Sequence, residues 1–199
     1  MKKTLGLFLM LFSVLNYAQN NSTLKNQKIA LKEAERFLNR NDLEMAADIL
    51  KYTIALDPKS KIGELAGSKY DLIIKNKVLK DILGKWVLFE RGSNWGFTEE
   101  KDNLKRKVLI ITETEFQFYE ENIQSKELKT IKTEKIILTK QEDGSRSSFD
   151  FVFSDKSLWS FFFDEKFGFL RQFNTGEETN EGRTEIFCGN SELRYKRYN

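Results

Sequence analysis

From about residue 24 the apolar positions recur with a helical period. The segment Leu24 to Asn39 sets Ala30, Ala34, Phe37 and Leu38 on one face. A second segment starts at the capping residues Asn41 or Asp42 and carries Leu43, Ala46, Ala47, Leu50 and Ile54 at helical spacing. Pro58 ends it, because proline has no N–H to donate and crowds the preceding turn. In a third segment, Lys61 to Leu83, the apolar positions (Ile62, Leu65, Ala66, Leu72, Ile73, Ile74, Leu79, Ile82) spread over more than one face. That spread suits a helix that touches both the hairpin before it and whatever follows. At Gly84 the period changes to short runs rich in β-branched and aromatic residues between turn signals. Strands are predicted near Trp86–Glu90, Arg106–Thr112, Glu115–Glu121, Leu128–Thr139, Ser148–Ser154, Ser157–Phe163, Gly168–Phe173, Arg183–Cys188 and Glu192–Tyr198. Residues Asn174 to Arg183, polar and glycine-containing, read as a loop.

Consecutive short strands without intervening helices predict an antiparallel meander, open or closed into a barrel. The fold class is therefore α+β, with residues 19–82 a short helical segment and 83–199 the β domain. Ser154-Asp155-Lys156-Ser157 reads as a tight turn between two alternating strands. Phe149, Phe151 and Phe153 then share one face of the first, and Trp159, Phe161 and Phe163 one face of the second.

Two family resemblances attach to these elements. Over residues 28 to 61 the hairpin resembles a tetratricopeptide repeat: Ala34 takes the small-residue slot, Phe37 the aromatic slot, Ala46 the alanine slot and Leu50 the bulky slot. Leu56-Asp57-Pro58 matches the repeat's ending, while Ala30, Glu33 and Thr53 depart from its preferences for tryptophan, leucine and alanine. An ordinary helical hairpin accounts for the same pattern. One repeat cannot form the concave groove of a repeat array, which takes at least three. The opening of the β domain, Leu83-Gly84-Lys85-Trp86, resembles the Gly-x-Trp start of lipocalin-like barrels. The resemblance implies that Trp86 closes the barrel floor and that an arginine of the last strand, Arg194 or Arg197, packs across its ring as a cation–π pair.

The N-terminus adds a location. Lys2 and Lys3 precede the apolar run Leu5 to Leu15, and Ala18 offers a small residue for cleavage before Gln19. Residues 1–18 are read as a signal peptide, since the run is about half of the roughly 20 residues a membrane span needs. No cysteine lies near the cut to take a lipid. A periplasmic or secreted chain with no transmembrane segment after cleavage is expected. Cleavage takes away two lysines and no acids, so the formal net charge falls from +3 to +1, too small a basic excess for a nucleic-acid binder. Cys188 stands alone, so no intrachain disulfide can form; following Ile186 and Phe187, it is expected to be buried as a small hydrophobe.

Candidate chemistry is sparse. The chain has no histidine, which removes His-based triads and the commonest transition-metal ligand, and its one cysteine cannot build a thiolate zinc site. Gly92 to Gly96 lacks the spacing and lysine of a phosphate loop, and Gln141 to Gly144 is too sparse for a calcium loop. The acidic pairs Glu99-Glu100, Glu120-Glu121 and Glu177-Glu178 read as solvated turns, because neighbours on a strand point to opposite faces. No catalytic residue, metal site or cofactor is assigned, and the chain is not expected to be an enzyme.

The rings of Phe149, Phe151, Phe153, Trp159, Phe161 and Phe163 are the candidate ligand-binding set, lining a cavity in a roomy barrel or filling the core of a tight one. Phe162 puts a further ring on the opposite face, which must meet something outside the sheet. Two functions follow. One is a non-catalytic interaction protein of the cell envelope with an unidentified protein partner. The other is a lipocalin-like carrier of a small apolar ligand.

Overall fold

The computed structural model describes residues 22–140, 149–186 and 188–198. The signal-peptide reading of residues 1–18 and the calcium-loop reading of Gln141 to Gly144 lie outside them. The described chain divides into two compact units, one ending at Ile74 and one beginning at Lys75.

The first unit is helical. Helix α1 covers residues 22–39 and α2 spans Leu43–Leu56; α3 spans Lys61–Ile82 and continues into the second unit. Asp42 caps α2, its Oδ1 accepting from Met45 N at 3.2 Å, and the helix stops two residues before Pro58. Ala34, Ala46, Leu50 and Ala66 are fully buried, so small side chains let the helices approach closely. Between them lies a polar clamp that apolar periodicity does not show. The buried Gln27 donates from Nε2 to Thr53 O (3.0 Å) and Asp57 O (2.8 Å), and its Oε1 accepts from Ser60 Oγ (2.8 Å). It ties α1 to the end of α2 and satisfies carbonyls that helix termini leave open.

The second unit holds eleven strands among the described residues: β1 Gly84–Ser93, β2 Gly96–Glu99, β3 Lys105–Ile111, β4 Glu115–Asn122, β5 Leu128–Lys135, β6 Leu138–Lys140, β7 Phe149–Val152, β8 Ser157–Asp164, β9 Phe169–Thr179, β10 Gly182–Glu185 and β11 Glu192–Arg197. All pairings are antiparallel, in the order β5-β4-β3-β1-β11-β9-β8-β7-β6, with β2 appended to β1 and β10 to β9.

The two ends of this path are one strand. Between β5 and β6 lie only Ile136 and Ile137, and there the pairing changes sides: Ile136 N donates back to Thr114 O (2.8 Å), beside β4, while Ile137 O accepts from Val152 N (2.9 Å) on β7. Counted as one bent strand, β5–β6 closes the sheet into a ring of eight. Where β5 leaves β7, the side chain of Glu134 takes over, accepting from Ser154 N (2.8 Å) and Ser154 Oγ (3.1 Å). Closure removes the free edges an open sheet would present.

Several expectations need correction. Residues 174–183 are not a loop: β9 runs on to Thr179 and pairs with β10, so a polar hairpin arm stands where composition suggested a mobile turn. Gly96–Glu99, unassigned from the sequence, pairs with β1 as β2. Cys188 is exposed rather than buried. The chain around it is held instead by Asn190, whose Nδ2 donates to Asn174 O and Ile186 O, both at 2.8 Å. Glu121 is no solvated turn residue either: it is buried, and takes hydrogen bonds from Arg106 and the Tyr198 hydroxyl. The outward ring of Phe162 lies under the Arg171 guanidinium at 4.9 Å.

Candidate functional site

Along the barrel axis the inward side chains form three tiers. At the closed end the Trp86 ring is fully buried and donates from Nε1 to Ile82 O at 2.8 Å. Phe163 packs beside it, ring centres 5.9 Å apart, and Val78, Leu79 and Ile82 at the end of α3 join the same core. The Arg197 guanidinium lies 3.8 Å from the centre of the Trp86 ring, and its Nη1 donates to Leu83 O at 2.7 Å. Gly84 makes room for this arrangement. Its φ of +126° is one that side chains rarely adopt, and a Cβ there would fall 2.4 Å from Arg197 Nη1. Arg194 has a different place: it stacks 3.4 Å from the Phe97 ring centre and pairs with Glu90 (3.0 Å) and Glu192 (2.9 Å).

The middle tier centres on Phe116, stacked on Phe161 at 4.6 Å and edge-on to Phe151 at 4.9 Å. Leu109 and Leu170, both fully buried, complete it. Ring centres this close leave no space for a ligand.

The third tier is open. A cavity of about 330 Å³ is bounded by Leu88, Phe118, Phe153, Trp159, Leu193, Gln172 and Tyr195 inside, with Arg91, Lys107, Ile131, Lys132 and Asp155 among the residues at its rim. Its shape follows from strand length. β7 ends at Val152 and turns at once into β8 at Ser157, while β4 and β5 run on to Asn122 and Leu128, so one wall is lower than the other. The turn is held by Phe153 N donating to Ser157 O (3.0 Å), and Ser157 Oγ in turn accepts from Trp159 Nε1 (2.7 Å), fixing the indole. Lys132 Nζ stands 4.6 Å from the Phe153 ring centre and 5.1 Å from that of Phe118, with Glu134 Oε1 at 3.2 Å.

Two polar groups sit deep in this tier. The Tyr195 hydroxyl donates to Gln172 Oε1 at 2.7 Å, and both residues are almost fully buried. Burial pushes the tyrosine's pKa up, keeping the hydroxyl protonated and a donor. Neither residue was singled out from the sequence. The available signal was a glutamine two residues after Leu170, at the inward parity of its strand.

The six rings picked from the sequence therefore divide. Phe153 and Trp159 line the cavity. Phe151 and Phe161 belong to the packed middle and Phe163 to the floor. Phe149 is half-buried opposite Lys140 and belongs to neither the core cluster nor the cavity lining. Among the described residues no group of three or more His, Cys, Asp and Glu side chains is placed to hold a metal ion, and no helix is long and apolar enough to cross a membrane.

No family model matches the chain, and no curated protein matches it. The tetratricopeptide resemblance of residues 28 to 61 thus finds no support there. A solved structure, that of lobster apocrustacyanin A1, is similar over 62% of this chain and 68% of its own, with 10% identity and a TM-score of 0.29. That likeness is too distant to carry residues across, and the closed ring rests on its own strand pairing.

Proposed function

We propose that this chain is an exported, non-catalytic carrier that holds a small, largely apolar molecule in the open end of a lipocalin-like barrel. The observation that carries the reading is the third tier: about 330 Å³ of space walled by apolar side chains, with a few polar groups converging on it. Ligand sites typically enclose about 300–1,000 Å³ of this character. The packed tiers below act as a rigid base for the rings that meet the ligand. The arrangement of Trp86, Gly84 and Arg197 supports the lipocalin-like description, since that family's floor is expected to be built in this way.

The test is titration of the mature protein with an apolar naphthylamine fluorophore. Uptake should be saturable and lost in Trp159→Ala, whose half-buried ring packs against the core cluster without being part of it. Phe151→Ala should instead unfold the barrel, by about 3–5 kcal/mol for a large core ring. Equal uptake by wild type and Trp159→Ala would sink the proposal.

A second reading, docking to a protein partner in the cell envelope, is favoured by one feature of the helical unit. Ile29, Tyr52 and Leu72 are 60%, 56% and 59% exposed, more than large apolar side chains usually are when they serve only a core. Replacing all three with serine should abolish crosslinking to an envelope protein while leaving fluorophore uptake intact. A wild-type chain that is monomeric and crosslinks to nothing would remove this reading.

A further inference from the structure

Within the carrier reading, on which this inference rests, the depth of the cavity specifies more than an apolar ligand. Gln172 is 2% exposed and lines the cavity, yet only one end of its amide is used: Oε1 accepts from the Tyr195 hydroxyl, and Nε2 has no protein partner among the described residues. Nε2 is not among the buried side-chain atoms that lack a partner, so it is reached from the cavity, where it is a donor left open to a ligand. The other half of the pair is fixed. Tyr195 is itself buried, its backbone sits on β11 opposite Leu88 of β1 and Leu170 of β9, and its hydroxyl donates to the glutamine oxygen. The tyrosine therefore holds the glutamine with its donor turned toward the free volume, and the surrounding walls, Phe118, Phe153, Trp159 and Leu193, offer no competing acceptor.

We propose that Gln172 is the specificity-determining residue of the cavity, donating from Nε2 to a carbonyl or similar neutral acceptor at the inner end of an otherwise apolar ligand, with Tyr195 as its positioning residue. The ligand class is thus an apolar, ring-sized molecule that carries an uncharged oxygen acceptor and enters acceptor first. A carboxylate at that depth is disfavoured, because an unpaired charge is costly to bury and Arg91, the cation whose charge reaches Tyr195, is already paired with Glu100. The cations Arg91, Lys107 and Lys132 stand at the rim, each with a carboxylate within 4 Å.

A matched pair of probes tests this: a naphthyl ketone (propionyl-dimethylaminonaphthalene) and its ketone-free parent, each titrated into wild type, Gln172→Leu and Tyr195→Phe. In wild type the ketone should bind about three- to tenfold more tightly than the parent, the span of one net hydrogen bond. Gln172→Leu should erase that preference while still binding the parent, and Tyr195→Phe should reduce it, with circular dichroism melts confirming that each variant is folded. The ketone's emission, which shifts red when its carbonyl accepts a hydrogen bond, should move to the blue in Gln172→Leu. Equal binding of both probes by wild type, or a ketone preference unchanged in Gln172→Leu, overturns the assignment and leaves the carrier reading standing. If neither probe binds wild type, the carrier reading falls and the assignment falls with it. Should Gln172→Leu fail to fold, Gln172→Met, closer in shape, takes its place in the same comparison.

Discussion

At its closed end the barrel brings Trp86, Phe163 and Ile82 together and leaves no room between them. At its open end Phe118, Phe153 and Trp159 stand around about 330 Å³ of space. Both ends draw on the same residue types at the same inward parity, and β8 supplies both, Phe163 to the floor and Trp159 to the mouth. What differs is the company. The last turns of α3 fill the floor and Arg197 seals it, whereas the short β7–β8 turn leaves the mouth with one low wall. Aromatic alternation specifies a barrel interior; the elements at each end decide whether that interior is core or pocket.

The largest expected effects lie in the packed tiers. Phe116→Ala removes the ring that contacts both Phe151 and Phe161, and urea unfolding should show a loss of about 3–5 kcal/mol. A loss below about 1 kcal/mol would mean that the middle tier is looser than its ring distances imply, and the contrast between the two ends would collapse. Gly84→Ala should cost about 1–3 kcal/mol, through a backbone conformation unfavourable to alanine and displacement of Arg197 from Trp86. Arg197→Met keeps an apolar stem over Trp86 but loses the cation and the bond to Leu83 O, so a smaller fall, about 0.5–2 kcal/mol, is expected in the same assay. Neither Gly84 nor Arg197 lines the cavity, so fluorophore affinity in the folded variants should stay near the wild-type value.

Acid sharpens the comparison from outside the cavity. Burial raises the carboxyl pKa values of Glu192 and Glu121, but hydrogen bonds outweigh it, from Arg171 and Arg194 to Glu192 and from Arg106 and Tyr198 to Glu121. Both end below the ordinary value of 4.5. Because the folded state binds these protons less tightly than the unfolded chain, their contribution is complete above about 4.5 and is lost as pH falls through the lower folded values. Urea midpoints should therefore drop on the acid side of that point, and Glu192→Gln should lower the neutral-pH midpoint while making the acid limb shallower. An unchanged acid limb would show that Glu192 is not held as its two arginines suggest.

Much of the fold could be read in advance because it is locally encoded. Alanine and leucine spacing, the Asp42 cap and Pro58 mark the helices, and alternation marks most strands. Two arginines of the last strand were candidates for the Trp86 ring, and only packing could choose Arg197 between them. The features that escaped are tertiary. Nothing in Lys135-Ile136-Ile137-Leu138 says that one strand changes partners there, yet that change closes the ring. Gln27 and Gln172 interrupt apolar patterns and look like surface residues until their partners are known. The arm is polar because beyond Glu177, where the pairing with β8 ends, only β9 and β10 pair and most of their surface is wet, a setting in which composition resembles a loop. For the same reason the six candidate rings could not be sorted: Phe151 and Phe153 differ only in how far along the barrel they stand.

The most direct test of the carrier reading is native mass spectrometry of the protein purified from its own source. It should show an added mass of a few hundred daltons that mild activation removes, present in wild type and absent in folded Trp159→Ala. A wild-type chain that always flies at its bare mass, and takes up neither naphthyl probe when these are added, would contradict the account and return the open tier to the status of an unfilled end of the core.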